Sequence, residues 1–232
     1  MIISFIGFMG CGKSSVGRRL SELLCCPFMD LDEVIEERTG RTIPEIFSTN
    51  GEAAFRAIES NTLRDIVVAS EPRQCVPLAP SHSKAAGPSP YAGVRKCQFH
   101  THASSPKELQ SKDSALVVAL GGGAVMTAEC AEIIRTDTKC IYLRASVDTL
   151  IEHLEGQTEN RPLLSSASCH SIQDSDCHSD RAKRVEESAL RDRITELMAI
   201  RSATYENTAH IIIDIDGKSI EAIASEIISR LG

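Results

Sequence analysis

The sequence predicts an α/β fold in which helices cover both faces of a parallel β-sheet. Short apolar runs alternate with longer amphipathic stretches along the chain, and this alternation is typical of parallel sheets. The first apolar run, MIISFI, leads directly into the glycine-rich stretch GFMGCGKSS (7–15), as expected for a strand, a tight loop and a helix. With 232 residues, the chain is long enough for one such domain and short for two, so we predict a single domain over residues 1–232.

Five short apolar runs are the candidate strands, and helical stretches separate them. The predicted strands cover residues 2–7, 27–30, 115–120, 139–143 and 210–215. The first and last predicted helices carry apolar residues at helical spacing, which indicates one buried stripe on each helix. These stripes consist of Val16, Leu20, Leu23 and Leu24 in the first helix and of Ile220, Ile223, Ile227 and Leu231 in the last.

Two segments interrupt this alternation. Residues from about 71 to 113 are rich in Pro, Ser, Gly, Lys and His, and residues from about 165 to 183 are rich in Ser and Asp. Neither segment has a usable apolar period or enough apolar residues to bury a core. We therefore predict two flexible insertions within the single domain.

Composition excludes several classes of protein. The net charge of −7 argues against general nucleic-acid binding, which needs a basic face. No apolar stretch approaches the roughly 20 residues of a membrane span, and MIISFI lacks the charged flank of a signal peptide. The nine cysteines are odd in number and scattered, which favours reduced thiols over a disulfide scaffold. These features predict a soluble, cytoplasmic protein, and we expect it to be a monomer.

The stretch GFMGCGKSS matches the phosphate-binding pattern G-x-x-x-x-G-K-[ST] without a gap. Backbone N–H groups of such a loop point at a β-phosphate, and Gly12 allows close approach where a side chain would clash. Lys13 can bridge the β- and γ-oxygens, and the Ser14 hydroxyl can hold Mg²⁺. We also expect Gly10, Cys11 and Ser15 of this loop to contact the nucleotide, with the Cys11 side chain facing it. A purely structural glycine-rich turn is the alternative interpretation.

Candidate acceptor-site residues follow the other predicted strands, because ligands of such sheets bind outside the carboxyl edge. Asp30 and Asp32 leave the second strand, where one could meet a Mg²⁺-bound water and the other could take a proton from an acceptor hydroxyl. Alternatively, one of them only caps the helix that follows. The further candidates are Arg56 in GEAAFRAIE, Gly121 to Gly123 after the third strand, Arg161 in NRPLL and Arg201 in AIRSATYENTA.

Together these motifs closely resemble the shikimate kinase family. They are GFMGCGKSS, the D-x-D of Asp30 and Asp32, TGRTIPEIF (39–47), GEAAFRAIE (51–59), the LGGGAV run, RPLL and the R-x-x-x-Y of Arg201 and Tyr205, and they occur in the order of the family. The resemblance covers most of the chain outside the two segments. It implies a P-loop kinase fold, a three-layer α/β/α sandwich with a five-stranded parallel sheet, acceptor-binding helices and a lid.

The resemblance also implies a reaction and roles for single residues. ATP, with Mg²⁺ as cofactor, would phosphorylate the 3-hydroxyl of shikimate, a step of aromatic amino-acid biosynthesis. Asp32 would bind shikimate hydroxyls and act as the base, while Arg56 and Arg201 would bind the carboxylate beside the backbone of Gly121, Gly122 and Gly123. Ser14 would ligate Mg²⁺ directly and Asp30 would do so through water. Arg161 would close on the phosphates, and Lys218 would lie near the adenine.

Two other functions remain open at this point. One is another small-metabolite kinase on the same scaffold, such as a gluconate kinase, which would also need a phosphate loop, a carboxylate base and a lid. The other is a non-catalytic homologue that binds nucleotide and uses its two extra segments for interactions. The presence of Lys13, Asp32 and Arg161 favours an enzyme over a non-catalytic homologue.

Overall fold

Five parallel strands form one sheet, in the order β2-β3-β1-β4-β5, within the part of the chain that the structure describes. The structure is a computed structural model and describes residues 1–70, 115–154 and 179–232, with side chains in these ranges except at residues 179–187. The strands are β1 (Ile2–Ile6), β2 (Phe28–Asp30), β3 (Leu116–Ala119), β4 (Lys139–Arg144) and β5 (Ile211–Asp214). All five predicted strands are confirmed, and every strand end lies within one residue of its predicted position.

Helices and one short 3₁₀ turn connect the strands. They are α1 (Lys13–Leu23), α2 (Leu31–Thr39), α3 (Ile43–Ser70), the 3₁₀ turn Ala124–Met126, α4 (Ala128–Asp137), α5 (Val147–Leu154), α6 (Ser179–Thr208) and α7 (Ile220–Leu231). Helix α3 is kinked at Gly51, whose φ of 78° and ψ of 172° are not helical. Such a backbone favours glycine, so the kink follows from the residue type at this position.

The register brings the carboxyl ends of the central strands to one edge. Phe5 near the end of β1 is level with Ala119 of β3 and with Ile141 of β4. The segments that leave β1, β2 and β3 therefore start side by side. This edge is where the sequence predicts the ligands.

The core consists of two apolar clusters, one on each face of the sheet. Alternate residues of β1 belong to different clusters, with Ile3 and Phe5 in the first and Ile2 and Ile6 in the second. Helices α1, α5 and α7 pack in the first cluster, and α2, α3 and α4 pack in the second. Helix α6 contributes Ile194 and Leu197 to the first and Tyr205 to the second. The three-layer α/β/α prediction is confirmed.

Two residues of the predicted apolar stripes are exposed. Leu23 is 42% exposed and Ile220 is 44% exposed, whereas the neighbouring stripe residues Leu20 and Ile223 are buried. Leu23 ends α1 and Ile220 begins α7. The helical spacing continues to these residues, but at a helix end fewer turns surround a side chain, so the prediction of burial was wrong at both positions.

The two predicted insertions fall mostly outside the described residues. Residues 71–113 and 165–178 lie in the gaps, while residues 179–183 form the start of α6. The described residues belong to one compact unit, and the single-domain assignment of the whole chain stays a prediction. Among the described helices, none combines the length and apolar character that crossing a membrane requires.

Candidate active site

The phosphate loop joins β1 to α1 and depends on glycines with positive φ. Gly10 has a φ of 83° and Gly12 a φ of 80°, which are left-handed values that disfavour other residues. A Cβ at Gly10 would lie 2.9 Å from Leu154 of α5. No protein atom lies within 4 Å of the equivalent position at Gly12, so backbone conformation alone requires glycine there.

Lys13 holds its ammonium group against this loop. Its Nζ donates hydrogen bonds to the carbonyl oxygens of Gly7 at 3.1 Å and Phe8 at 3.0 Å. The positive charge is therefore already placed at the phosphate-binding loop. The α1 N-terminus, where Lys13 is the first helical residue, adds free backbone N–H groups at the same place.

The thiol of Cys11 does not face the nucleotide side, which corrects our expectation. Cys11 is buried and packs in the first apolar cluster, and its Sγ lies 2.9 Å from where a Cβ of Gly7 would be. Burial raises the pKa of this thiol above its usual range. A contact between Cys11 and a nucleotide would thus involve its backbone, and a buried neutral thiol is a poor target for oxidation.

Ser14 and Asp30 form the candidate Mg²⁺ site. The Ser14 hydroxyl donates to Asp30 Oδ2 at 2.5 Å, while Asp30 Oδ1 accepts from the backbone N–H of Asp32 at 3.1 Å. Asp30 therefore caps α2, which is one of the two roles predicted for it, and it also contacts the phosphate loop. Hydroxyl and carboxylate oxygens suit Mg²⁺, which takes few protein ligands and fills its shell with phosphate oxygens and water. Among the described residues there is no group of three or more His, Cys, Asp or Glu side chains that could hold a metal ion.

Asp32 is a half-buried carboxyl group whose pKa is raised to about 6, mainly by burial and secondly by the charge of Asp30. The positive charges of Lys13 and Arg56 oppose this rise. A carboxylate with such a pKa is mostly ionised at neutral pH and accepts a proton more readily than an ordinary aspartate.

Arg56 points into the protein and not into solvent, which would be the default for a mid-helix arginine. Its guanidinium donates to Glu59 at 2.8 Å and to Glu52 at 3.2 Å. Glu59 is fully buried, and its Oε1 has no hydrogen-bond partner among the described residues. Burial raises the pKa of Glu59, and the ion pair with Arg56 opposes that rise. Glu59 therefore orients the Arg56 guanidinium from the buried side of the site.

The three glycines after β3 allow these side chains to approach the backbone. A Cβ at Gly121 would lie 2.8 Å from Glu59 Oε1 and 3.0 Å from Asp32 Oδ1. A Cβ at Gly123 would lie 2.3 Å from the nearest guanidinium nitrogen of Arg56. A side chain at Gly121 or Gly123 would force these groups to move, so the glycines let the two carboxylates and the guanidinium lie directly on the backbone.

Arg201 of α6 is buried, and its Nη1 has no hydrogen-bond partner in the described parts of the chain. Tyr205, one turn later on the same helix, donates its hydroxyl hydrogen to the carbonyl oxygen of Gly122. A buried guanidinium nitrogen without a partner is costly unless an anion meets it. Arg201 is therefore suited to bind a negatively charged group of a ligand.

One cavity of about 1190 Å³ connects all of these groups. The predicted site residues that line it are Gly10, Cys11, Gly12, Lys13, Ser14, Ser15, Asp30, Asp32, Arg56, Gly121, Gly122, Gly123, Arg201 and Lys218. The ammonium of Lys218 is ion-paired with Glu226 at 2.6 Å, so its charge is already compensated. Arg161 lies outside the described residues. Apart from Arg161, the structure brings every predicted site residue to the same cavity.

Several residues at this cavity were not assigned roles from the sequence, among them Glu59, Tyr205 and His153. Glu59 and Tyr205 both belonged to recognised motifs, F-R-x-x-E and R-x-x-x-Y, so the signal was present and only the role was missing. His153 gave no signal. Its Nδ1 lies 2.8 Å from the carbonyl oxygen of Gly10, a contact that joins α5 to the phosphate loop.

A family comparison identifies the chain. The family model described as shikimate kinase matches residues 9–76 and 103–232. The chain belongs to the shikimate kinase family. Two curated relatives are a shikimate kinase of Dictyoglomus turgidum, 31% identical over 99% of this chain and 96% of the relative, and one of Thermodesulfovibrio yellowstonii, 33% identical over 98% and 93%. The resemblance inferred from the motifs is therefore confirmed.

Solved structures agree with this membership. The structure of a shikimate kinase from Acinetobacter baumannii in complex with shikimate superposes with a TM-score of 0.66 at 26% identity, over 99% of this chain and 92% of that one. The shikimate kinase of Bacteroides thetaiotaomicron has the same TM-score at 22% identity, over 100% and 98%, and at that identity it supports the fold alone. The P-loop kinase fold predicted for the family is confirmed.

Proposed function

We propose that this protein transfers the γ-phosphoryl group of ATP to the 3-hydroxyl of shikimate. The observation that carries the proposal is that one cavity holds a phosphate loop, a proton-accepting carboxylate and a buried arginine nitrogen that has no partner among the described residues. Shikimate is an anion with three hydroxyl groups. The buried arginine suits its carboxylate, and the proton-accepting carboxylate suits a hydroxyl. Membership in the shikimate kinase family supports the same acceptor.

Asp32 takes the proton of the acceptor hydroxyl in the proposed reaction. Its raised pKa of about 6 leaves it ionised at neutral pH while making it a better base than an exposed aspartate. The oxygen of the acceptor hydroxyl, as it loses its proton, attacks the γ-phosphorus. The bond from that phosphorus to the bridging oxygen breaks, and ADP leaves. Lys13 and the backbone N–H groups of the loop bind the phosphate oxygens, where negative charge accumulates.

Ser14 and Asp30 would hold Mg²⁺ next to these phosphates, and the bound ion neutralises part of their charge. The chemistry of their oxygen atoms and their position beside the phosphate loop support such a role. We assign Arg161 to the phosphates in the closed enzyme.

We place the enzyme in the cytoplasm, in line with the five free thiols among its described cysteines, and we propose that it is a monomer.

The carboxylate of shikimate would bind Arg201 and Arg56. Arg201 offers a free Nη1, whereas Arg56 is held by Glu59 from the buried side and Glu52 from the exposed side. The ring of the acceptor would pack on the apolar wall made by Phe47 and Phe55, whose ring centroids lie 4.7 Å apart. The two charged groups define one end of the acceptor, and Asp32 defines the hydroxyl that reacts.

An acceptor panel tests the proposal. ADP release is followed by a coupled assay with MgATP and, separately, shikimate, quinate, gluconate, AMP or no acceptor. We expect turnover with shikimate far above the rate without acceptor, and little with the others. Turnover with gluconate or AMP but not with shikimate would show that shikimate is not the substrate. The same rate of ADP release with and without every acceptor would contradict a metabolite kinase.

A further inference from the structure

Tyr205 is a buried tyrosine beside the candidate acceptor site that the proposed reaction does not use. It is 1% exposed, and its ring packs against the ring of Tyr142 with a centroid distance of 5.1 Å. Its hydroxyl hydrogen is donated to the carbonyl oxygen of Gly122. The hydroxyl therefore links α6 to the centre of the triple-glycine run.

Gly122 lies where the two halves of the cavity meet. A Cβ at Gly122 would lie 3.4 Å from the Gly7 carbonyl oxygen and from the Met9 nitrogen, so its backbone packs directly on the phosphate loop. The glycines on either side support Asp32 and Arg56. Displacement of the Gly122 peptide would thus change the distance between the acceptor-binding groups and the phosphates.

The direction of the hydrogen bond is determined by its chemistry. A carbonyl oxygen only accepts, so the phenol must donate to Gly122 and must keep its proton. Burial raises the pKa of Tyr205 to about 12, which keeps the phenol protonated at neutral pH. The phenol oxygen keeps lone pairs that can accept a second hydrogen bond. The positive charge of Arg201, one helical turn away on α6, opposes the rise in the pKa of Tyr205.

We propose that Tyr205 is a positioning residue that holds the Arg201 guanidinium and the Gly122 peptide in one fixed arrangement. The hydroxyl donates to Gly122 in the structure, and in the proposed arrangement it also accepts a hydrogen bond from Arg201. The acceptor carboxylate is then bound at a set distance from the phosphate loop. Because Arg201 is one turn earlier on the same face of α6, a single helix carries both groups. This inference rests on the proposed function for its choice of acceptor.

Kinetics of Tyr205→Phe test the inference against a matched control. The variant keeps the ring that packs on Tyr142 and removes only the hydroxyl. We expect KM for shikimate to rise about tenfold, as for loss of a hydrogen bond to a charged group, with KM for ATP within about twofold of wild type. Tyr142→Phe removes a hydroxyl from the adjacent buried ring and should leave KM for shikimate unchanged. Equal KM values in Tyr205→Phe and wild type would overturn the inference.

A double-mutant cycle shows whether Tyr205 acts through Arg201. If it does, Tyr205→Phe should raise KM for shikimate about tenfold in wild type and less than about twofold in an Arg201→Lys background. Additive effects of the two changes would mean that the hydroxyl has an unrelated structural role.

Hydrogen exchange provides a readout that does not depend on the acceptor. Amides of the peptide covering residues 120–126 should exchange faster in Tyr205→Phe than in wild type, and Tyr142→Phe should match wild type. Unchanged exchange in Tyr205→Phe would refute the inference even if shikimate is the substrate. Failure of wild type to use shikimate, with faster exchange in Tyr205→Phe, would refute the proposed acceptor and retain the positioning role.

Discussion

Gly123→Ala should damage acceptor binding while leaving the fold largely intact. Gly123 has a φ of −108°, which any residue can adopt, so alanine causes no backbone strain. Its Cβ, however, would lie 2.3 Å from Arg56 Nη2 and 2.7 Å from Arg56 Cζ. Ordinary contact begins at 3.4 Å, so the guanidinium must move by about 1 Å, the difference between 3.4 Å and 2.3 Å.

A displacement of this size matters because Arg56 is placed to bind the acceptor carboxylate. Misplacing a binding group by about 1 Å can reduce catalytic efficiency by about a hundredfold. We expect kcat/KM for shikimate to fall by about tenfold to a hundredfold, mostly through KM. The melting temperature should fall by only a few degrees, because the atoms that move are the far end of a flexible side chain.

Steady-state kinetics at saturating MgATP, together with thermal unfolding, measure both effects. Gly40→Ala is the matched control, since Gly40 lies outside the cavity, has a φ of 64° and has no atom within 4 Å of its Cβ position. That variant should lose about 1 kcal/mol of stability from backbone strain and keep its KM for shikimate. If Gly123→Ala retained wild-type KM for shikimate, Arg56 would not be an acceptor-binding residue.

Two further predictions concern the base and the phosphate loop. Because the carboxylate form of Asp32 is the active one and its pKa is about 6, kcat/KM for shikimate should be on a plateau above pH 7 and about tenfold lower at pH 5. Asp32→Asn should lose most of kcat, and a flat wild-type profile from pH 7 to pH 5 would contradict the assignment. His153→Asn retains an N–H near the position of Nδ1 and should keep KM for ATP, whereas His153→Gln places its amide elsewhere and should raise it about threefold to tenfold, because the bond to Gly10 is lost. Identical KM values for ATP in the two variants would exclude this role of the imidazole.

The strands, the phosphate loop and the motif residues were predictable from the sequence for a local reason. A run such as ALVVAL can only be a buried strand or a short buried helix segment, and the glycines after it decide between them. The glycines of the phosphate loop are required by positive φ values at Gly10 and Gly12, which is a property of single residues. The prediction failed at Leu23 and Ile220, where burial depends on what surrounds a helix end.

The sequence by itself determined the parallel α/β fold, the family and the residue types that phosphoryl transfer to a hydroxyl acid requires. Only the tertiary structure decided the burial, charge pairing and hydrogen bonding of these side chains. The Cys11 thiol lies in the core, Lys218 is paired with Glu226, and Arg201 Nη1 has no partner among the described residues. It also raised the pKa of Asp32 and joined Tyr205 to Gly122, which is 83 positions away. Burial, charge and hydrogen bonding depend on neighbours that are distant in the chain, and local patterns carry no information about those neighbours.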